Sequence, residues 1–416
     1  MCSASGQRRE QKASAPSPRG PRICEAPMPE RARSAGCAGT AIELFCLAIT
    51  FGSRDPVSQD GKLEMHSAPM RLGFPVKVVA RPDLKSNDTR RWVNGPHLRT
   101  SLAYLDAIFD YLAQHNIRMY RMSSDLAPYA THPDMPQFHG MVKESAKELR
   151  AIGTKAKRLD LRLSFHPSQF VVLNSPDPSL TSKSVWDLRS QAEMLDLMEL
   201  GPETVIVIHV GGLYGDREAS RVRWVRTWEK LPAPVRRRLV LEHDDLRFSA
   251  SDTLWINGQT GVPLIFDHQH FWCLNPEGLD LRETLAEMLR TWPTGIRPKV
   301  HFSSPRTELR EFKRRDRKTR KTTAVKVAPT WTGHADFCHP FEFITFMKTV
   351  EGLVFDVMLE AKAKDLALIR LRPDLVRYAP DVATRFGLVR EQAPALEREK
   401  EEVLTETPEA VDSPTS

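Results

Sequence analysis

No stretch of this chain reaches the roughly 18 consecutive apolar residues that a membrane helix requires. The nearest is "CAGTAIELFCLAITFG" (37–52), which follows a basic segment. Glu43 interrupts it and no small-x-small cleavage site follows, so neither a span nor a secretory signal is expected. The six cysteines, Cys2, Cys24, Cys37, Cys46, Cys273 and Cys338, include no CxxC pair. That spacing argues against a zinc module or a disulfide framework and makes a reducing, cytoplasmic setting the expectation. No GxGxxG follows the first strand-like segment, which removes the usual reason to expect an open dinucleotide-binding sheet. Residues 1–68 are rich in Pro, Ser, Gly, Arg and Ala and lack hydrophobic periodicity, so a disordered extension is expected there. Met65 and Met70 lie just before the first strand-like segment, and an over-extended start is one reading of the residues upstream. Residues 388–416 form an acidic, polar stretch expected to be a flexible tail.

What remains, 69–387, is long enough for one large barrel, and a hydrophobic content of 41% over the 416 residues allows a sizeable core. The formal net charge of +7 suits a polyanionic partner, although alone it says little. Short β-branched runs alternate with amphipathic stretches. The runs are "RLGFPV" (71–76), "IRMYRMS" (117–123), "LRLSFHP" (161–167), "TVIVIHV" (204–210), "RLVLEHD" (238–244), "PLIFDHQ" (263–269), "PKVHFSS" (298–304) and "LVFDVMLEAK" (353–362). Between them, 97–116 places Leu102, Leu105, Ile108, Phe109 and Leu112 on one helical face, and 184–201 and 281–292 behave similarly. Strand and helix alternating through eight runs predict an α/β fold, a (β/α)8 TIM barrel with disordered terminal tails.

In such a barrel, functional side chains gather at the C-terminal ends of the strands. Here those ends are polar. The third run ends at His166, the fourth at His209, the fifth at Glu242, the sixth at Asp267 with His270 just beyond, and the eighth at Glu360. The seventh carries Lys299 and His301, two apart and so on one face of a strand. "GHADFCH" after the seventh run adds His334, and "YATHPD" after the second adds His132. A single strand-end histidine is more often a hydrogen-bonded structural residue. The set is different, because burying so many ionisable groups together is costly unless metal or pairing compensates. Mixed imidazole and carboxylate suit Zn, Mn or Fe. One ion cannot use all these ligands, so two or three are implied, with Glu242 or another carboxylate bridging. Clustered divalent ions activate a water and hold both oxygens of an in-line displacement at phosphorus. His243, His268 and His339 adjoin stronger candidates and are left out, and Asp244 and Asp245 are expected to cap the next element. Lys299 has three readings open to it beside a cationic cluster: a deprotonated amine, a contact to substrate phosphate, or a carbamylated, anionic ligand.

The motifs "RLGF", "YRMSSDLAP", "SFHPSQFVVLNS", "IHVGG", "LEHDD", "FDHQH", "VHFSS", "GHADF" and "LEAKAKDLA" together resemble the UV damage endonuclease family, from about residue 70 to about residue 370. The resemblance implies a barrel with a trinuclear site, usually manganese, that nicks duplex DNA immediately 5′ to a UV photoproduct and leaves a 3′-hydroxyl. Carried over motif by motif, the ligands are His132, His166, His209, Glu242, Asp267, His270, His301, His334 and Glu360. Lys299 falls where the family has a carboxylated lysine. Glu242, Lys299, His209 and Asp267 are expected to carry the chemistry, with Mn2+ in the site and Zn or Mg left open. The family inserts a pair of side chains into the duplex from the loop after "FHPS"; here that pair is Gln169 and Phe170, with Phe where Tyr is usual. Two lesion-pocket positions match Phe74, where Tyr is usual, and Val78, where Asn is usual. The expected partner is damaged double-stranded DNA, with no membrane, and the family's monomeric state is the default.

The basic run "KRRDRKTRK" (313–321), after the seventh strand, is either a solvated insertion or a phosphate-contacting loop. Two alternative functions use similar barrels: an abasic-site endonuclease of the endonuclease IV type, and a metal-dependent sugar isomerase or epimerase. The second needs a small enclosed pocket and no duplex wedge.

Overall fold

Every one of the eight apolar runs forms a strand. The computed structural model describes residues 68–388 except 317 and 318, so the expected extension and acidic tail, with Cys2, Cys24, Cys37 and Cys46, lie outside the described residues apart from Ala68 and Leu388. The first seven strands are β1 (Leu72–Pro75), β2 (Met119–Arg121), β3 (Arg162–Phe165), β4 (Val205–His209), β5 (Leu239–Glu242), β6 (Leu264–Asp267) and β7 (Lys299–Phe302). An antiparallel pair follows, β8 (Arg310–Arg315) and β9 (Thr322–Val327), and then β10 (Asp356–Leu359). Strands β1 to β7 and β10 close into an all-parallel barrel in the order β1-β10-β7-β6-β5-β4-β3-β2. Parallel strands covered on both faces read as continuous apolar runs rather than alternating ones, which is why these segments were legible.

The expected helices are present as Leu98–Gln114, Pro178–Leu197 and Leu281–Arg290. Leu102, Leu105, Ile108, Phe109 and Leu112 are all buried on the inner face of the first. Several helices begin at an Asp that accepts a backbone N–H of the first turn: Asp177, Asp216 and Asp280. Gly73 lets β1 approach β2 closely, since a Cβ there would stand 2.6 Å from the Met119 carbonyl oxygen.

The floor of the barrel is polar. Asp356, at the start of β10, is fully buried and faces Arg162 across the interior at 2.9 Å, with Arg297 at 3.4 Å and Arg71 at 3.5 Å. It also accepts the Arg71 N–H at 2.8 Å. A buried carboxylate tolerates this position only because several cations and a backbone donor satisfy it.

The run 313–321 is not the simple loop expected from its composition. Its first part belongs to β8, and β8 with β9 makes a two-stranded ribbon. A ribbon without a buried face shows neither an alternation of apolar residues nor a continuous apolar run, the two hydrophobic signals by which strands are read.

Candidate metal centre

The strand ends converge on Glu242. It is the last residue of β5 and fully buried. Its Oε2 lies 3.0 Å from His166 Nε2 and 3.7 Å from His209 Nε2, and its Oε1 lies 2.8 Å from His301 Nδ1. His301 Nδ1 is also 3.3 Å from Glu360 Oε1. Asp267 ends β6, and its Oδ1 accepts the His270 N–H at 2.8 Å, capping the short helix His268–Cys273 and fixing His270 beside it. His334 returns to the rim through a single bridge to Pro305.

Backbone carbonyls set the tautomers of three of these rings. The Nδ1 of His166 meets the Pro167 carbonyl at 3.1 Å, that of His270 meets the His243 carbonyl at 3.0 Å, and that of His334 meets the Glu360 carbonyl at 2.9 Å. A carbonyl only accepts, so each Nδ1 carries a proton, and in the neutral form of each ring Nε2 keeps its lone pair, the usual preparation of a metal-ligating histidine. The lone pair of His166 Nε2 then faces a Glu242 carboxylate oxygen at 3.0 Å, an arrangement that needs a proton or a cation between the two.

Other buried atoms also lack partners. Asp267 Oδ2, His301 Nε2 and Lys299 Nζ are all buried without a hydrogen bond. Each such group costs about 1–3 kcal/mol if left unpaired, and a cluster of them around two carboxylates fits a site for divalent cations. Two sets of ligand atoms lie within 4.8 Å of one another, His166 with His209 and Glu242, and Glu242 with Asp267 and His301.

The electrostatics agree. Burial would raise the Glu242 carboxyl, but the imidazoles of His301 and His209, with His166 beside them, hold it well below the usual carboxylate range. Burial would likewise raise Glu360, and Arg121 and His301 hold it low. Burial would lower His270, yet Asp267, Glu242 and Glu360 push it up to about 9. Lys299 is fully buried, and burial, then the cations Arg162 and Arg121, push its amine well below the usual lysine value. A neutral amine is the form that can react with carbon dioxide, so the anionic reading of Lys299 keeps its chemical basis.

The structure therefore brings together His166, His209, Glu242, Asp267, His270, His301, His334, Glu360 and Lys299. Among the described contacts, none joins His132 to them. The hydrogen bonds and ring contacts of His132 run to its own loop: Nδ1 accepts the Asp134 N–H at 3.2 Å, and the ring packs on Tyr129 at 6.3 Å. An N–H only donates, so this ring has the opposite tautomer to the three above. Phe74 and Val78 are 0% and 3% exposed in the core, with Phe74 edge-on to Tyr120 at 5.5 Å. Neither presents a surface to a duplex here. Gln169 and Phe170 do: both are exposed, Phe170 to 73%, and they line a cavity of about 390 Å³ together with His209, Tyr214 and His270.

His243 and His268 turn elsewhere. His243 Nε2 accepts the Asp267 N–H at 3.0 Å, and His268 stacks on Phe302 at 4.7 Å. Asp244 closes a turn by accepting N–H groups from Leu246 at 2.9 Å and Phe248 at 3.2 Å. It is not the helix cap expected of it, since Ser249 and Asp252 form the capping box of the helix Ala250–Thr260. The residue missed by sequence reasoning is Arg121, at the end of β2, which pairs with Glu360. Its position at a strand end was the available signal.

Fold and rim together define a (β/α)8 barrel with a candidate multi-ligand metal site at its C-terminal mouth. The sequence model of the UV-endonuclease UvdE family matches residues 98–385. The UV DNA damage endonuclease of Bacillus velezensis is 35% identical over 268 residues, 64% of this chain and 77% of the relative. That of Bacillus cereus strain G9842 is 34% identical over 285 residues, 67% of this chain and 81% of the relative. The crystal structure of SacUVDE superposes with a TM-score of 0.62 at 29% identity, covering 74% of this chain and 98% of that one. The chain belongs to the UV-endonuclease UvdE family. It is a hydrolase of DNA repair, an endonuclease that cuts phosphodiester bonds.

Proposed function

We propose that this protein nicks the damaged strand of duplex DNA immediately 5′ to UV photoproducts, leaving a 3′-hydroxyl, and that it depends on divalent ions, manganese first among them. The observation that carries the reading is that the exposed Gln169–Phe170 tip and the candidate ligands His209 and His270 line one cavity. A wedge that enters a duplex there leaves the phosphate of the opened step beside the ligand cluster.

Each residue has a task. Phe170 enters the base stack and Gln169 fills the adjacent gap, so the damaged bases leave the helix. The photoproduct's weakened stacking lowers the cost of that step. Glu242, Asp267, Glu360, His166, His209, His270, His301 and His334 would hold the ions, with Lys299 carboxylated as a further anionic ligand. When bound, such ions supply a nucleophile at neutral pH and stabilise charge on the attacking and leaving oxygens. Arg121 holds Glu360 in its ionised form, and the carbonyl partners of His166, His270 and His334 keep those rings in ligating orientation. Carboxylation of Lys299 adds carbon dioxide to the neutral Nζ with release of one proton. His132 joins this set as a ligand in the proposal only through a change in its ring hydrogen bond. The extension 1–68, the barrel 69–387 and the tail 388–416 remain the proposed division of the chain, acting as a monomer.

The test uses the full chain with manganese and three end-labelled duplexes, one with a single pyrimidine dimer, one with an abasic site and one undamaged. A nick directly 5′ of the dimer supports the reading. Cutting at the abasic site alone would move the protein to the class of abasic-site endonucleases.

A further inference from the structure

The ribbon of β8 and β9 has no role in the chemistry above, and nothing in the barrel covers it. All six residues of β8 are exposed, and in β9 only Val325 is half-buried. Two-stranded ribbons without a packed face are marginal in water. This one is closed by local bonds: Asp316 N–H to the Lys321 carbonyl at 2.9 Å, and Arg320 N–H to the Asp316 carbonyl at 3.0 Å, with Arg320 at a φ of 60°.

Its charge is unusual in amount and arrangement. Residues 310–327 hold nine Lys or Arg against two acids, Glu311 and Asp316. That excess equals the formal net charge of the whole chain, +7, so the other residues together balance to zero. The register sorts the side chains. Arg310, Phe312 and Arg314 lie opposite Val327, Val325 and Thr323 on one face, and Glu311, Lys313 and Arg315 lie opposite Lys326, Ala324 and Thr322 on the other. The Arg310 guanidinium covers the Phe312 ring at 4.7 Å. Cations therefore stand on both faces, and Arg320 and Lys321 add two more in the segment that joins the strands. A ribbon lying flat on an anionic surface needs one basic face. Cations on both faces and at the tip fit an element flanked by negative charge on two sides.

The stems begin and end at the metal rim. Arg306 donates its N–H to the Gly333 carbonyl at 2.6 Å and pairs with Asp336 at 2.7 Å, while Ala335 N–H meets the Ser304 carbonyl at 2.8 Å. Gln269 Nε2 holds the Trp331 carbonyl at 2.7 Å. These bonds fix the base of the ribbon beside His334.

We infer that the β8–β9 ribbon is a duplex-engaging arm that enters the major groove of DNA flanking the cut, with phosphates of both strands on either side. This rests on the endonuclease reading. The major groove, roughly 12 Å wide, admits a two-stranded ribbon, and six residues per strand span about 20 Å at ~3.4 Å each. The arm reads no sequence; it supplies affinity and salt dependence.

The experiment compares the full chain with two variants. In one, a short Gly-Ser linker replaces 310–327; in the other, Lys313→Glu, Arg314→Glu and Lys326→Glu leave the backbone intact. Incision kinetics on a dimer-containing duplex are read at several salt concentrations, with dimethyl sulfate protection of guanine N7 in the flanking major groove. The expected result is unchanged kcat, a KM raised at least about tenfold near physiological salt and a shallower salt dependence, with flanking N7 protection lost. A wild-type chain that cuts while both variants keep its KM, salt slope and N7 protection would overturn the inference and leave the endonuclease reading intact. A shallower salt slope with N7 never protected would overturn the groove placement. Wild-type dimerisation that the variants abolish, with DNA affinity unmoved, would assign the ribbon to a second copy instead. A wild-type chain that neither binds nor cuts any duplex would overturn both readings.

Discussion

His301 Nδ1 stands 2.8 Å from Glu242 Oε1, and both side chains are fully buried. The pair joins the ends of β7 and β5, and through it the site is a single electrostatic unit. Removing the charge of Glu242 while keeping its shape isolates that unit's contribution. Glu242→Gln should retain binding to a dimer-containing duplex and lose incision by at least about a hundredfold, a loss in the upper range for altered metal surroundings. Gel-shift and single-turnover cleavage on one preparation check it, and wild-type turnover in the variant would refute the assignment.

Phe170 offers the opposite case. It is 73% exposed, so Phe170→Ala should change stability by no more than about 0.5 kcal/mol, as at other surface sites. Incision at a dimer should nevertheless fall sharply, with no fall in the metal content of the protein. Thermal melting, metal analysis and cleavage assay separate the three quantities. An unchanged cleavage rate would remove the wedge from the mechanism.

Metal removal should reach stability as well as activity. The orphaned atoms of Asp267 and His301 are a standing cost that bound ions would relieve. A ligand at a hundred times its Kd stabilises the folded state by about 2.7 kcal/mol. Addition of Mn2+ to chelator-treated protein should raise Tm by several degrees, and Asp267→Asn with His301→Gln should abolish the rise. An equal Tm with chelator and with Mn2+ would contradict the site.

Acid should loosen the segment between β1 and the first helix. Asp88 accepts from Arg90 Nε at 2.8 Å and from the His97 N–H at 2.9 Å. Its hydrogen bond with Arg90, chiefly, holds its carboxyl at about 2, below the ordinary 3.8. A depressed carboxyl stabilises the fold above the unfolded value and loses that contribution as pH falls through the folded one. Asp88→Asn should thus cost about 1–2 kcal/mol at neutral pH, and the difference from wild type should shrink between pH 4 and pH 2. Urea melts at three pH values check the trend, and a gap that widened in acid would reverse the sign.

The barrel was legible because its physics is local. Strands covered on both faces must be apolar throughout, and a run such as 204–210 can end in His209 only at the mouth. Sequence period also placed Lys299 with His301. What was hidden depends on contacts between distant segments. Arg121 gains its partner, Glu360, only when β10 completes the ring. The ring hydrogen bond of His132 within its own loop, and the packing that buries Phe74 and Val78, leave no pattern in composition. The ribbon escaped for a different reason, since a strand pair with no buried face carries no hydrophobic period.

The seam of the barrel has a consequence for biosynthesis. Strand β1 pairs with β10, and the Arg71–Asp356 bond at that seam joins residues 285 apart in sequence. During translation the ring cannot close until the last strand has left the ribosome, and until then β1 lacks one of its two partners. Glu360 arrives with that same strand. Closure of the ring and completion of the proposed ligand set are one event, so a chain stalled before residue 360 is expected to have no half-active form.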